Sequence, residues 1–190
     1  MDQLTRGIHS LDLRGNYQPG ELVLRGGHAF PVLKSSNGQI LIAASYYGRG
    51  KMVVASHELI LPSQPVQPFI RNALEWLKPS SSSTVGFHST MYSLYQALQG
   101  CGLKLNPNGK LEESIGVYCR DAYDDSQVAE ILNFVKKGGG LLIGGQAWYW
   151  SYSNGKHNAL HAYPGNKITG PAGIYFTGEV ADNGVYQVCR

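Results

Sequence analysis

The segment Gly140-Leu141-Leu142-Ile143 constrains this chain more than any other. It is apolar at every position and does not alternate, so both of its faces need cover. A strand of that kind belongs inside a parallel sheet with helices on both sides. The sequence before it has the matching grammar. A strand is expected over 84–87, a helix over 89–99 with Ser89 as N-cap, a strand over 114–119 reaching Asp121, and a helix over 126–137. In that last helix Val128, Ile131, Leu132 and Val135 fall on one face. Asp124 and Asp125 precede its positive end, Lys136 and Lys137 close its negative end, and Gly138 follows. Strand, helix, strand, helix, strand implies a parallel α/β sheet.

Residues 1–79 read differently. Short β-rich runs at 21–24, 30–33, 39–44 and 51–56 form a meander, with Asn37-Gly38 and Gly48-Arg49-Gly50 at its turns. A helix over 67–78 follows, carrying Ile70, Ala73, Leu74 and Leu77 on one face. It stops at Pro79 and the serines of 80–83. The expectation is an N-terminal meander-plus-helix (1–79) and a strand–helix–strand portion (80–190), packed as one unit. With 24 glycines, 9 prolines and 43% apolar residues, the chain suits many short elements around a real core.

Composition removes several function classes. A formal charge of +3, from 16 basic and 13 acidic residues, is too small and too dispersed for nucleic acid. No apolar run reaches the roughly 18–20 residues of a membrane span. The first ten residues carry Asp2, Arg6 and His9 and lack an apolar core, so a secretion signal is not expected. Cys101, Cys119 and Cys189 are odd in number and far apart, which favours reduced thiols over a disulfide framework.

Functional loops of a parallel sheet lie at the carboxyl ends of its strands. Three ends carry chemistry: Ser56-His57-Glu58, Cys119-Arg120-Asp121 and Gly144-Gly145-Gln146-Ala147-Trp148-Tyr149-Trp150. Cys119, His57 and Glu58 are the ingredients of a thiol nucleophile, its base and an orienting carboxylate. Against that, Cys119 sits between Tyr118 and Arg120, without the small neighbours of a strained nucleophile elbow. His57 and Glu58, adjacent on an extended strand end, are expected to point to opposite sides. The plainer reading makes Cys119 a buried apolar residue and His57 a satisfied polar one.

No metal site is expected. His57-Glu58-Leu59-Ile60-Leu61 begins like HExxH and lacks the second histidine, and His157 and His161 sit in a glycine- and asparagine-rich loop. Gly138-Gly139-Gly140 precedes a strand, so it is no phosphate loop, and no cofactor is implied. Gln146, Trp148, Tyr149, Trp150 and Tyr152 form the candidate binding set. They are expected in a loop, either as interface anchors or as a core lid.

Several long segments, in order, carry a resemblance. Gly38 to Gly50, Val53 to Glu58, Gly116 to Tyr123 and the block GGGLLIGGQAWYW at 138–150 resemble the N-terminal region of the TRP melastatin channel-associated factors. Pro164-Gly165-Asn166 and Ala172 to Thr177 extend the match. The region, with its Asn72-Ala73-Leu74-Glu75-Trp76-Leu77 helix, is similar to the class I glutamine-amidotransferase-like superfamily, a flavodoxin-like α/β fold.

The resemblance implies a non-enzymatic regulator on the cytosolic face of the plasma membrane. It would bind the cold- and menthol-sensing melastatin channel, promote its delivery and tune its gating, without inserting into the membrane. Full-length members continue into an enhancin-type metallopeptidase-like region with an HExxH segment. The chain therefore resembles an N-terminal fragment. The alternatives are an amidotransferase-like or sugar-handling hydrolase using Cys119, or an accessory domain of an enhancin-type metallopeptidase.

Overall fold

In the computed structural model, residues 2–189 are described. The N-terminal part holds β1 (Ser10–Asp12) and then the expected meander runs, β2 (Gly20–Leu24), β3 (Ala29–Lys34), β4 (Ile40–Tyr47) and β5 (Gly50–Ala55). Then come α1 (Gln67–Leu77), β6 (Thr84–Phe87), α2 (Tyr92–Ala97), β7 (Leu105–Asn106), β8 (Ile115–Asp121), α3 (Val128–Lys136) and β9 (Gly140–Gly144). The C-terminal part adds α4 (Ala147–Ser153), α5 (Ala159–Ala162), α6 (Gly165–Thr169), β10 (Ile174–Val180) and β11 (Val185–Gln187).

One nine-stranded sheet runs β10-β2-β4-β5-β9-β8-β6-β7, with β3 also on β4, and β1 pairs β11 separately. The apolar β9 lies between β5 and β8, parallel to both, with Val53 opposite Leu142 and Cys119 opposite the same residue. Sheet continuity thus crosses Pro79, because β5 from the meander is a parallel neighbour of β9. The parallel strands run in the order β7-β6-β8-β9-β5. The fifth place is filled by a strand that precedes the others in the chain.

Strand alternation divides the core into two layers. Val53, Ala55, Val117, Cys119 and Leu142 face α1 and α2, beside Phe69, Ile70, Leu74 and Leu94. Met52, Val54, Tyr118, Leu141 and Ile143 face α3 and the C-terminal helices, beside Ile131, Val135, Tyr163 and Phe176. Helix α1 ends as expected: Lys78 turns extended (φ −60°, ψ 130°) before Pro79, which disfavours a helical residue ahead of it.

The two glycines of the β4–β5 turn have different reasons. Gly48 takes φ 59°, which few other residues tolerate. Gly50 does not, but a Cβ there would stand 2.1 Å from the Val135 carbonyl oxygen and 2.2 Å from that of Gly139. The turn closes the end of α3, where Arg49 N–H donates to Lys136 O (3.0 Å).

One expectation needs revision, and one strand is new. The helix over 89–99 is a 3-10 turn, Ser89–Met91, followed by the shorter α2. Its cap is His88, whose side chain accepts from Thr90 N–H, rather than Ser89. Strand β10, which no periodic pattern announced, borders β2 in antiparallel register and widens the sheet. Its outer edge is occupied at Phe176 by the Asn166 amide. The amide donates to Phe176 O (2.9 Å) and accepts from Phe176 N–H (2.7 Å), as a neighbouring strand would.

Candidate functional site

The carboxyl ends of β5, β8 and β9 converge on one carboxylate. After Ala55 the chain turns at once into a 3-10 turn, Glu58–Ile60, with His57 as its cap: Nδ1 accepts from Leu59 N–H (3.1 Å). That turn is the reason His57 and Glu58 do not point to opposite sides. The extended geometry behind that expectation ends at His57 itself (φ −156°, ψ 135°), the chain turns at Glu58, and Nδ1 stands 3.3 Å from Glu58 Oε2. The contact is not an ion pair. Burial pushes the imidazole pKa down, Glu58 and Gln146 offset this only in part, and Nδ1 already spends its lone pair on Leu59. The ring is neutral, with its proton on Nε2.

Glu58 accepts from the Tyr123 hydroxyl (2.9 Å), and that hydroxyl accepts from Gln146 N–H (2.9 Å). Gln146 Nε2 stands 3.5 Å from Glu58 Oε1, long for a hydrogen bond. Glycines allow this packing. A Cβ on Gly144 would stand 3.0 Å from Glu58 Cα, and one on Gly145 would overlap the Tyr163 hydroxyl at 2.0 Å. Tyr163 is buried against Tyr123, Trp150 and Phe176, edge to face at 5.9, 5.5 and 5.1 Å between centroids. Its hydroxyl has no hydrogen-bond partner. Burial, with Glu58 nearby, drives the phenol pKa values of Tyr123 and Tyr163 up, so both stay protonated.

Cys119 does not join this cluster. Its side chain is fully buried in the α1/α2 layer, and burial alone drives the thiol pKa up. A protonated thiol without access is no nucleophile. Beside it in sequence, Arg120 points to the other layer and is also fully buried. Its Nε donates to Asp121 O (2.9 Å), its Nη2 donates to Asp124 O (3.1 Å) and lies 3.7 Å from Asp124 Oδ2, and its Nη1 has no partner. Among the described residues no group of three or more His, Cys, Asp or Glu side chains is placed to hold a metal.

The aromatic segment forms helix α4 and not a loop. Rotation by about 100° per residue sorts side chains that a strand-like alternation would leave exposed on both sides. Trp148 donates Nε1–H to Gln18 O (3.1 Å), and Trp150 packs on Tyr163. Tyr149 and Tyr152, three positions apart, are left outside at 52% and 71% exposure. Gln146 therefore sits in the Glu58 cluster, the two tryptophans are half-buried braces, and the two tyrosines form the free face.

Sequence reasoning missed Tyr123 and Tyr163 as members of the site. Tyr123 had a signal: Asp121 Oδ1 accepts Tyr123 N–H (3.2 Å), the local turn that an aspartate makes just past a strand end. Tyr163 lies among helices of four and five residues, which leave no periodicity to read.

The model of the family described as "TRPM8, N-terminal domain" matches residues 1–190. TRPM8 channel-associated factor 2 of Bos taurus is 44% identical over 189 residues, covering 100% of this chain and 21% of that protein. The TRPM8 channel-associated factor homolog of Xenopus laevis is 45% identical over 181 residues, 95% of this chain and 20% of that protein. The chain thus spans about a fifth of the length of these relatives. Among solved structures, IMPa from Pseudomonas aeruginosa in complex with an O-glycopeptide superposes with a TM-score of 0.70 at 14% identity. That match covers 94% of this chain and 22% of IMPa, and it shows a shared fold.

Proposed function

Because the chain belongs to the TRPM8 channel-associated factor family through its N-terminal domain, we propose that it is a non-enzymatic, channel-associated regulatory domain. In this reading it binds a melastatin-type channel at the cytosolic face of the plasma membrane, promotes the channel's delivery there and modulates its gating. The observation that carries the reading is 44% identity, over 189 residues, to a protein named for that association. The docking surface is the outer face of α4, with Tyr149 and Tyr152 as contact anchors and Trp148, Trp150 and Gln146 holding the helix in place. Large, rigid side chains give contact area at small entropic cost.

Two features support a role without catalysis. Cys119 is sealed in the core, and the Glu58 cluster offers a carboxylate, two protonated phenols and a neutral imidazole, with no activated nucleophile. The parallel order β7-β6-β8-β9-β5 supports descent from the flavodoxin-like, amidotransferase-type sheet, with the catalytic elbow lost. We also read residues 1–79 and 80–190 as one folding unit, since β5 and β9 are paired across the serine-rich connector. A second reading, as the accessory domain of an enhancin-type peptidase, draws on the fold shared with the IMPa metallopeptidase.

The test is co-precipitation of the chain with TRPM8 from cells, alongside surface labelling of the channel. Tyr149→Ala with Tyr152→Ala is expected to reduce capture by about tenfold or more while leaving the melting midpoint in place. Full capture by the folded double variant would remove α4 as the docking surface. Glutamine hydrolysis that disappears in Cys119→Ala would remove the non-enzymatic reading.

A further inference from the structure

At the amino end of β5, opposite Glu58, lies a cavity of about 520 Å³. Its walls are three turns: Arg25-Gly26-Gly27-His28 between β2 and β3, Tyr46-Tyr47-Gly48 at the end of β4, and Gly170 to Gly173 leading into Tyr175. That volume lies within the range of small-molecule sites.

The walls are fixed against each other by the backbone. Arg25 N–H donates to Gly173 O (2.8 Å), and Gly173 takes φ 85°, with room for no Cβ beside Arg25 O at 2.2 Å. Gly48 lies so close to α3 that a Cβ would stand 2.7 Å from Lys136 Cα and 2.8 Å from its Cγ. Tyr175 lies against Gly170 in the same way, with Cε1 at 2.8 Å from where a Cβ would be.

The charge around this cavity is one-sided. Arg25 and His28 line it, Arg49 follows Gly48, and the Lys136 side chain starts against Gly48. No hydrogen bond or ion pair engages any of these four side chains, and no Asp or Glu lines the cavity. A second cavity of about 510 Å³, beside the carboxyl end of α3, shows the usual mixture instead, with Glu112, Glu113 and Glu130 near Lys137. Unpaired like charges on one rigid rim repel each other. Arginine forks from two turns and a lysine point charge from the last residue of α3 match the several oxygens of a tetrahedral dianion better than one flat carboxylate. Tyr47, Tyr175, Pro171 and the half-exposed Tyr46 add flat walls, and the hydroxyls of Tyr47 and Tyr175 have no hydrogen-bond partner.

We propose that this cavity binds a phosphate monoester carried on a small polyhydroxylated ring. Arg25, Arg49 and Lys136 take the phosphate oxygens, His28 adds a donor, and the tyrosine walls hold the ring. The same chemistry is offered by a soluble sugar or inositol phosphate and by a phosphorylated inositol headgroup on a membrane. The proposal does not depend on channel association.

Calorimetric titration of the 190-residue chain with inositol trisphosphate, with myo-inositol as the uncharged control, tests it. Binding of the trisphosphate and not of inositol is expected, weakening as salt is raised. Arg25→Ala with Arg49→Ala should lower the affinity by about tenfold or more, and Lys110→Ala, on a distant exposed segment, should not change it. Vesicles of phosphatidylcholine with phosphatidylinositol bisphosphate separate the sources. Tighter binding to them than to the soluble trisphosphate assigns the membrane headgroup, and equal or weaker binding assigns the soluble ligand. The proposal is overturned if the folded wild type binds no trisphosphate. Equal losses in the double variant and in Lys110→Ala would overturn it too, as would equal binding to phosphatidylserine vesicles of the same charge.

Discussion

The two ends of the central sheet make opposite use of similar material. At the carboxyl end Glu58, Tyr123 and Gln146 satisfy each other, His57 caps a turn, and Tyr163 and Trp150 close the space beneath α4. At the amino end Arg25 and His28 line an open cavity, with Arg49 and Lys136 beside its Gly48, and none of these four side chains has a partner. In parallel α/β sheets the carboxyl end is the customary place for function. Here the Glu58 cluster beneath α4 is satisfied from within, while charge without a partner collects at the other end. Position in a fold directs the search, but the state of the side chains decides what a site can do.

If the carboxyl-end cluster is structural, damage there appears first in stability. The largest effect is expected for Tyr163→Ala, which empties the junction of Tyr123, Trp150 and Phe176. Aromatic truncation in a core costs roughly 3–5 kcal/mol. Tyr163→Phe separates ring from hydroxyl. The hydroxyl is buried without a partner, so its removal should be neutral or stabilising by up to about 1 kcal/mol. Urea unfolding measures both. A Tyr163→Phe variant that loses 2 kcal/mol or more, on the scale of a lost buried hydrogen bond, would show that the hydroxyl has a partner in solution.

Glu58→Gln comes next, at about 1–2 kcal/mol, for the charged acceptor lost by Tyr123 in a partly exposed setting. A variant with unchanged unfolding and altered partner binding would move Glu58 from the structural end of the comparison to the functional one.

How much of this was legible follows the length and regularity of each element. The apolar run 140–143 specified a buried strand because both its faces need cover, and the one-sided faces of α1 and α3 specified the layers. The α4 segment was misread as a loop because four bulky aromatics in five positions carry no helical stripe. The tertiary contacts of Trp148 and Trp150 decide it. The Glu58 cluster was half visible. His57, Glu58 and Gln146 stood out at strand ends, but their meeting depends on which strands are neighbours, and adjacent residues on a turn do not obey strand alternation. The cationic cavity was invisible, since Arg25, Arg49 and Lys136 are isolated in sequence and come near one cavity only when two turns and the end of α3 pack together.

A smaller effect is expected from pH. The buried His57 has a pKa below its ordinary 6.5, so the folded chain resists the proton that the unfolded chain accepts. Its contribution is complete above pH 6.5 and is lost as pH falls from there through the depressed value. The carboxylates of Asp12 and Asp124, which are held below the usual range, act only at more acid pH, below about 4. Melting curves between these limits should therefore fall with pH in the wild type and flatten in His57→Asn, which keeps a capping acceptor. An equal slope in both would place the titration elsewhere.

The smallest effect, and the one that most sharpens the comparison, is expected at the amino end. Arg25 and Arg49 are exposed and their side chains make no hydrogen bond or ion pair, so Arg25→Ala with Arg49→Ala removes no contact that the fold uses. Surface changes of this kind stay within about 0.5 kcal/mol. Relief of like-charge repulsion around one cavity gives the change a sign: the double variant should melt slightly higher than the wild type at low ionic strength. At about 0.15 M salt the Debye length is near 8 Å, so the gain should shrink as salt is added. A phosphate ligand reverses the order, since whatever binds only the folded state raises its stability. With inositol trisphosphate present the wild type should melt above the variant. A double variant less stable than the wild type at every salt concentration without ligand would mean that the two arginines hold the fold, and the contrast between the two ends would then fail.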